Sequence, residues 1–294
     1  VDAAMKAAPF DYLRPDMLDE TLAALAQYGA DARIIAGGQS LGAMLNMRIL
    51  SPKALIDING LDDLAHVSVA SDMIATGAMV RQSDAMVDRR IRDHVPLLAR
   101  ALPYVGHYQT RNRGTLGGSV AHADPSAEIP LALAILGGEV ELRSRRGRRR
   151  VKAVDFFQSA LVTAREPDEL LTALYWPARK PRHGYAFTEF ALRHGDYAIV
   201  AVACVAEMTA DGALSVLRFG FGGCGERPQI VAREGAPGSE HLDDETISAM
   251  ARSAAAEIEC RTDLMASADY RRQLAGVLAE SALAAAAAEP VAHA

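Results

Sequence analysis

Two paired-glycine segments constrain this chain more than any other feature. The first comprises Ala36, Gly37, Gly38, Gln39, Ser40 and Leu41; it follows a short apolar stretch around Ile34 and Ile35 and leads into a helical pattern through Leu41, Leu45 and Arg48. A turn from strand to helix at that point lets backbone amides approach an anion, because glycine adds no side chain and the next helix begins with unsatisfied N–H groups. Taken alone, that segment is equally compatible with a structural turn. The second runs Arg111, Asn112, Arg113, Gly114, Thr115, Leu116, Gly117, Gly118, Ser119, with Asp124, Pro125 and Glu128 beyond it. Hydroxyls flank this glycine pair, so amides together with Thr115 and Ser119 can serve several phosphate oxygens, and a carboxylate downstream can accept from ribose hydroxyls. Two such loops suit a diphosphate. Neither is a Walker loop or a Rossmann fingerprint, which disfavours both conventional nucleotide folds.

The rest of the chain reads as alternating helix and strand, then as mostly strand, then as helix. Asp16 is placed to cap a helix carrying Leu18, Leu22 and Leu25, with Gly29 as its stop, and a strand is expected at Ala54 to Ile58. Ser71 and Asp72 break the alternation between Val67 and Gly77, as in a tight turn. Gly106 to Pro125 reads as too polar and glycine-rich for core, and Glu128 to Leu136 as helix. Asp168 to Trp176 reads as strand. Around Pro177 to Gly184 prolines and basic residues replace periodic apolar positions, which marks a boundary. Beyond it three strands are expected at Tyr185 to Leu192, Ala198 to Met208 and Leu214 to Phe221, the last two joined at Asp211 and Gly212. Alanine-rich helices follow at about Asp243 to Ile258 and Ser267 to Ala288.

Composition narrows the function classes. Half of the residues are hydrophobic, and 31 Lys+Arg against 37 Asp+Glu give a net charge of −6, which offers no general attraction to nucleic acid or anionic lipid. No run approaches the roughly 18 to 20 apolar residues that span a bilayer, and a cytoplasmic location is expected. Arg145, Arg146, Arg148, Arg149, Arg150 and Lys152 surround Gly147; the run reads as a solvated hairpin tip, with a docking surface for an acidic partner as the alternative. Cys204, Cys224 and Cys260 lie too far apart in sequence for a cluster or metal site, so no metal is expected in this chain. His107, His122, His183 and His194 read as loop or surface histidines.

Taken together, these stretches resemble the medium, FAD-binding subunits of the xanthine dehydrogenase and carbon monoxide dehydrogenase family, the molybdenum hydroxylases. The likeness covers most of the chain: Phe10 to Tyr12, the segment from Ala36, Arg48 with Pro52, Ile56 to Leu61, Arg111 to Pro130, Glu169 to Leu171, and Arg193 to Ile199. It implies an α+β fold, with a two-subdomain FAD-binding domain of the PCMH-like type over 1–178 (approximately 1–60 and 61–178). A C-terminal domain over 179–288, with a three-stranded antiparallel sheet and a helical bundle, and a tail over 289–294 complete it.

By that resemblance Arg33, Ile34, Ile35, Ala36, Gly37, Gly38, Gln39, Ser40 and Leu41 form one clamp on the FAD pyrophosphate, and Thr115, Leu116, Gly117, Gly118 and Ser119 the other. Glu128 matches an acid contacting the adenosine half, and Leu170 or Leu171 a position near the adenine. Tyr197 matches a residue against the isoalloxazine ring, with a core role as its alternative. Many relatives carry a lysine ahead of Arg193; Glu189 stands there instead and is assigned no cofactor contact. The implied function is electron transfer, with no catalytic residue in this chain. A small subunit with two 2Fe–2S clusters and a large molybdopterin subunit complete a heterotrimer or its dimer, and the large subunit hydroxylates an N-heteroaromatic, aldehyde or similar substrate. A self-sufficient FAD oxidase or dehydrogenase and a non-redox nucleotide-binding module stay open as alternatives.

Overall fold

The protein is described here by a computed structural model covering residues 6–210, 213–234 and 242–289. Its N-terminal portion starts with a small parallel sheet. β1 (Asp11–Leu13), β2 (Ala32–Ile35) and β3 (Ala54–Asp57) lie in the order β1, β3, β2, with Ile34 opposite Ile56. The helix Leu18–Tyr28 covers it, burying Leu22 and Leu25, and ends at Gly29 with φ +49°. Asp16 does not cap that helix: Met17 is the N-cap, without a side-chain bond, and Glu20 instead reaches back to accept from the Asp16 amide.

A five-stranded antiparallel sheet follows. β4 (Val67–Val69), β5 (Met73–Gly77), β6 (Glu139–Ser144) and β7 (Gly147–Lys152) join, after the short ribbon β8 (Phe157–Ser159) and β9 (Val162–Thr163), with the long β10 (Leu170–Pro177). The order is β4, β5, β10, β6, β7. The arginine run is the β6–β7 hairpin, and much of its charge is met internally. Arg146 pairs with Asp168, Arg149 with Glu169, and the Arg150 guanidinium lies 3.5 Å from the Tyr175 ring centre.

Gly106 to Pro125 corrects a reading from composition. It contains two short helices, Tyr108–Arg113 and Leu116–His122, and Leu116 and Val120 are fully buried. The apolar residues are sparse, so the segment reads as loop although Leu116 and Val120 are inserted into the core.

The C-terminal sheet is antiparallel and has four strands, not three: β11 (His183–Phe190), β12 (Val200–Met208), β13 (Leu214–Gly222) and β14 (Gln229–Glu234). β14 escapes pattern reading because it is an edge strand, with Val231 its buried apolar residue among Gln229, Ala232 and Arg233. The turn at Asp211 and Gly212 lies outside the described residues, as does 290–294 of the tail. Helices Asp244–Glu257 and Ala268–Ala287, capped by the Asp243 and Ser267 side chains, cover one face of this sheet.

β12 is apolar from Val200 to Ala206 because both faces are buried there. Val200, Val202, Cys204 and Ala206 pack with those two helices, while Ala201, Ala203 and Val205 join the core of the preceding domain. The element between the domains is the helix Glu128–Ile135, buried at every position. Gly220 and Gly222 on β13 make room for it: a Cβ on Gly220 would lie 3.0 Å from Leu131 Cδ1 and 3.2 Å from Ile135 Cβ. Gly220→Val is therefore expected to destabilise the chain by about 1–3 kcal/mol through overpacking, read as a lower urea midpoint with an unchanged m-value.

Candidate functional site

β2 delivers the first glycine loop. The strand ends at Ile35, Gly38 turns the chain with φ +70°, and the helix Leu41–Asn46 begins. Gly37 is required by close approach rather than by its dihedral: a Cβ there would sit 2.3 Å from the Arg113 carbonyl oxygen and 2.7 Å from Gly114 Cα. The first loop lies directly against the chain entering the second. A Cβ on Gly118 would meet that of Ala36 at 4.0 Å, so the contact continues into the second glycine pair.

A polar brace holds the two loops together, and it lies outside the sequence motifs. Asn59, just beyond β3, donates from Nδ2 to the Ala36 carbonyl at 2.8 Å and accepts at Oδ1 from Arg81 Nη2 at 2.7 Å. Arg81 Nη1 donates to the Arg113 carbonyl. Asp57 orients Asn59 by accepting from its backbone and side-chain amides, and also accepts from the Tyr12 hydroxyl. Burial alone would raise the Asp57 carboxyl, yet the bonds from Tyr12 and Asn59 hold it below the usual range. Asn59 sits in a readable strand end, but nothing in the sequence pairs it with Arg81.

The loops differ in what their amides have left to offer. Among the described residues, no protein acceptor meets the backbone N–H of Gly37, Gly38, Gln39 or Ser40. In the second loop Leu116 N–H is bound to the Val80 carbonyl at 2.9 Å and Gly117 N–H to that of Ala78 at 3.0 Å. Gly118 N–H donates to Thr115 Oγ1 at 2.9 Å, and Ser119 N–H to the Thr115 carbonyl at 3.2 Å. Thr115, only 1 % exposed, caps its own helix. Free amides are thus concentrated in the first loop; Thr115, Leu116 and Gly117 support it from the core, and half-buried Gly118 and Ser119 stay at the meeting edge.

The remaining candidates surround this junction to different degrees. Arg33 is turned onto the Ala30 and Ala32 carbonyls. Leu170 belongs to the apolar cluster bordered by Ile34 and Ala36, whereas Leu171 belongs to the second subdomain's core. Tyr197, on the segment between β11 and β12, lies beside the first loop, where the Ser40 hydroxyl acts on its phenol. Its side chain is 66 % exposed, which removes the core alternative. Partial desolvation and the Asp124 charge raise that phenol's pKa, with Glu128 adding and Ser40 opposing.

Gly195, at φ +86°, packs so closely on His107 that a Cβ would lie 2.6 Å from Nδ1. Arg271 secures the same segment, donating to the Ile199 and Gly223 carbonyls and gripping Asp263 through two bonds. Glu128 opens its helix at 6 % exposure, where burial, with Asp124 nearby, pushes its carboxyl up to about 7. Among the described residues no group of His, Cys, Asp and Glu is arranged to hold a metal ion.

Comparison with known proteins gives this arrangement a family. Residues 8–179 match the FAD binding domain in molybdopterin dehydrogenase, and residues 185–286 match the CO dehydrogenase flavoprotein C-terminal domain. The chain therefore belongs to the FAD-binding medium-subunit family of the molybdenum hydroxylases. It is 36 % identical to the 6-hydroxypseudooxynicotine dehydrogenase complex subunit alpha of Paenarthrobacter nicotinovorans, over 95 % of each chain. With the carbon monoxide dehydrogenase medium chain of Hydrogenophaga pseudoflava it shares 32 % identity, covering 94 % of this chain and 96 % of that one. A chain in the crystal structure of quinoline 2-oxidoreductase from Pseudomonas putida 86 superposes with a TM-score of 0.88 at 34 % identity, over 96 % of this chain and 98 % of that one.

The brace is testable apart from any ligand. Asn59→Ala and Arg81→Ala are each expected to cost about 1–3 kcal/mol in urea unfolding. Because they belong to one network, the double variant should depart from additivity by about 0.5 kcal/mol or more; strict additivity would mean that the two residues act separately.

Proposed function

We propose that this chain is the FAD-binding, electron-transferring subunit of a heteromeric molybdenum hydroxylase, and that the first glycine loop is the main grip on the FAD diphosphate. The observation that carries this is the row of four unpaired amides at Gly37, Gly38, Gln39 and Ser40, braced against the second loop. Unpaired N–H groups at a glycine turn suit a phosphate anion, and glycine at 37 and 38 keeps side chains out of its way. FAD, when bound, exchanges electrons singly or in pairs.

The chain's residues have distinct parts in holding it. Gly37 to Ser40 donate to the diphosphate, Gly118 and Ser119 close the opposite edge, and Thr115, Leu116 and Gly117 fix that edge in place. Glu128 accepts from the adenosine half, and Leu170 packs nearer than Leu171 to the adenine side. Tyr197, with the Ser40 hydroxyl acting on its phenol, presents its ring to the isoalloxazine. None of these residues abstracts or delivers a proton at a substrate, so the site of substrate oxidation is assigned to another subunit.

The partners are a small subunit with two 2Fe–2S clusters, which feeds electrons to this one, and a large molybdopterin subunit that hydroxylates the substrate. The assembly is a heterotrimer or its dimer, in the cytoplasm, and a terminal acceptor takes the electrons onward. An N-heteroaromatic substrate is favoured by the name of the quinoline 2-oxidoreductase relative. No helix among the described residues is long and apolar enough to cross a membrane. The two domains divide near 178 and 179, between the end of β10 at Pro177 and the start of β11 at His183.

Gly37→Ala forces the loops apart and is expected to weaken FAD binding about 10- to 100-fold, the cost of one or two charge-assisted hydrogen bonds, measured by fluorescence titration of the purified chain. The isolated, FAD-loaded chain should show a flavin spectrum yet leave quinoline, nicotine and aldehydes unoxidised with a dye acceptor. Turnover of any of these by the chain alone would contradict the assignment.

A further inference from the structure

Tyr197 presents its exposed ring from a short stretch of chain that is pinned at both ends. Upstream, Gly195 lies so close to His107 that no side chain fits between them. Downstream, the Ile199 amide donates to the Phe190 carbonyl at 2.8 Å as β12 begins. The Ile199 carbonyl has a different partner. It accepts from Arg271 on the helix Ala268–Ala287, and the same guanidinium nitrogen donates to the Gly223 carbonyl at 2.9 Å.

Gly223 ties this contact to the second glycine motif. It takes φ +77°, and a Cβ there would lie 2.6 Å from the Ile199 carbonyl oxygen and 3.0 Å from that of Ala198. Its own amide donates to the Pro125 carbonyl at 2.8 Å, in the turn between the helices Leu116–His122 and Glu128–Ile135. Asp263 completes the grip. Its two oxygens accept from Arg271 Nη2 at 2.6 and 2.7 Å, and Oδ1 also takes the amides of Met265 and Ala266, so the guanidinium is anchored to a fixed loop.

Arg271 is 1 % exposed, and among the described residues its Nε has no hydrogen-bond partner. A buried ion pair stabilises a fold weakly beside an apolar pair of the same volume, whereas a planar guanidinium fixes the relative positions of the acceptors it holds. What Arg271 contributes is therefore position. We propose that Arg271 is a positioning residue for the flavin: it sets the backbone from which Tyr197 reaches the isoalloxazine, in a frame shared with the Pro125 turn. The part played by the ring rests on the FAD reading given above; the fixing of the backbone does not.

A lysine in place of Arg271 keeps the charge but cannot hold two carbonyls and a carboxylate with one planar group. The stretch before β12 should then loosen while the ladder of the sheet stays paired. Tyr197→Ala removes an exposed ring and is expected to raise the FAD Kd about 2- to 10-fold, the range of one aromatic contact. Arg271→Lys should raise Kd by a similar factor. Because it acts through the ring, that factor should shrink to less than about twofold in the Tyr197→Ala background.

The test uses the purified full chain in two measurements, made well below its melting temperature. Without FAD, amide hydrogen exchange should be faster in Arg271→Lys than in the wild type at Ile199 and Gly223, with Val202 to Val205 in the middle of β12 unchanged. Equal exchange at Ile199 and Gly223 overturns the fixing of the backbone. FAD titrations of the wild type, both single variants and the double variant then separate position from stability. Non-additivity of the stated size supports the proposal; an unchanged Kd in Arg271→Lys, or the same fold-change with and without the Tyr197 ring, overturns it. Leu283→Ala removes a fully buried side chain about 18 Å further along the same helix, and should lower the melting temperature while leaving Kd unaltered. A Kd raised as much there as in Arg271→Lys would mean that Arg271 acts through stability alone, which also overturns the proposal. If the wild type binds no FAD, it is the FAD reading that fails, and the exchange result still decides whether Arg271 fixes the backbone. Asp263→Asn, which weakens the same grip, carries both measurements should Arg271→Lys not fold.

Discussion

The approach of Gly37 to the backbone of Arg113 and Gly114 is the constraint on which the rest of this site depends. At that spacing no side chain fits at position 37, and the two glycine loops become one continuous surface. Neither loop holds this position alone. Asn59 grips the carbonyl at one end, Arg81 grips the carbonyl at the other, and the bond between them transmits the position of one subdomain to the next. The parallel sheet places Asn59 at the end of β3, beside the end of β2, so the small first subdomain exists in large part to bring one strand terminus to that junction.

A second constraint fixes the third side. The C-terminal sheet is buried on both faces, and its inner face is shaped by Gly220 and Gly222 to accept the helix Glu128–Ile135. That packing sets the segment after β11 beside the first glycine loop, where the Ser40 hydroxyl acts on the Tyr197 phenol. A change that loosens the helix against β13 also loosens Glu128, which opens that helix.

The sequence made some of this legible because the chemistry is local. A strand running into Gly37 and Gly38, and the hydroxyls around Gly117 and Gly118, are contiguous signals, as are the long strands beyond Pro177 and the caps at Asp243 and Ser267. What escaped is non-local. Asn59 and Arg81 are 22 residues apart and ordinary in their own contexts. The second loop looked as rich in free amides as the first, but Ala78 and Val80 consume two of them from a distant strand end. β14 was hidden because an edge strand needs few apolar residues, and the helix Leu116–His122 because glycine and polar residues masked Leu116 and Val120. Glu189 stood out as an acid in an unexpected place, yet the enclosure of its unpartnered Oε2 is a property of the packed domains.

The most direct measurement is backbone amide NMR of the full chain titrated with FAD. The account predicts large shifts at the amides of Gly37, Gly38, Gln39 and Ser40 on binding, with those of Leu116 and Gly117, already bonded to Val80 and Ala78, changing much less. Shifts concentrated at Leu116 and Gly117, with the first loop unmoved, would contradict it.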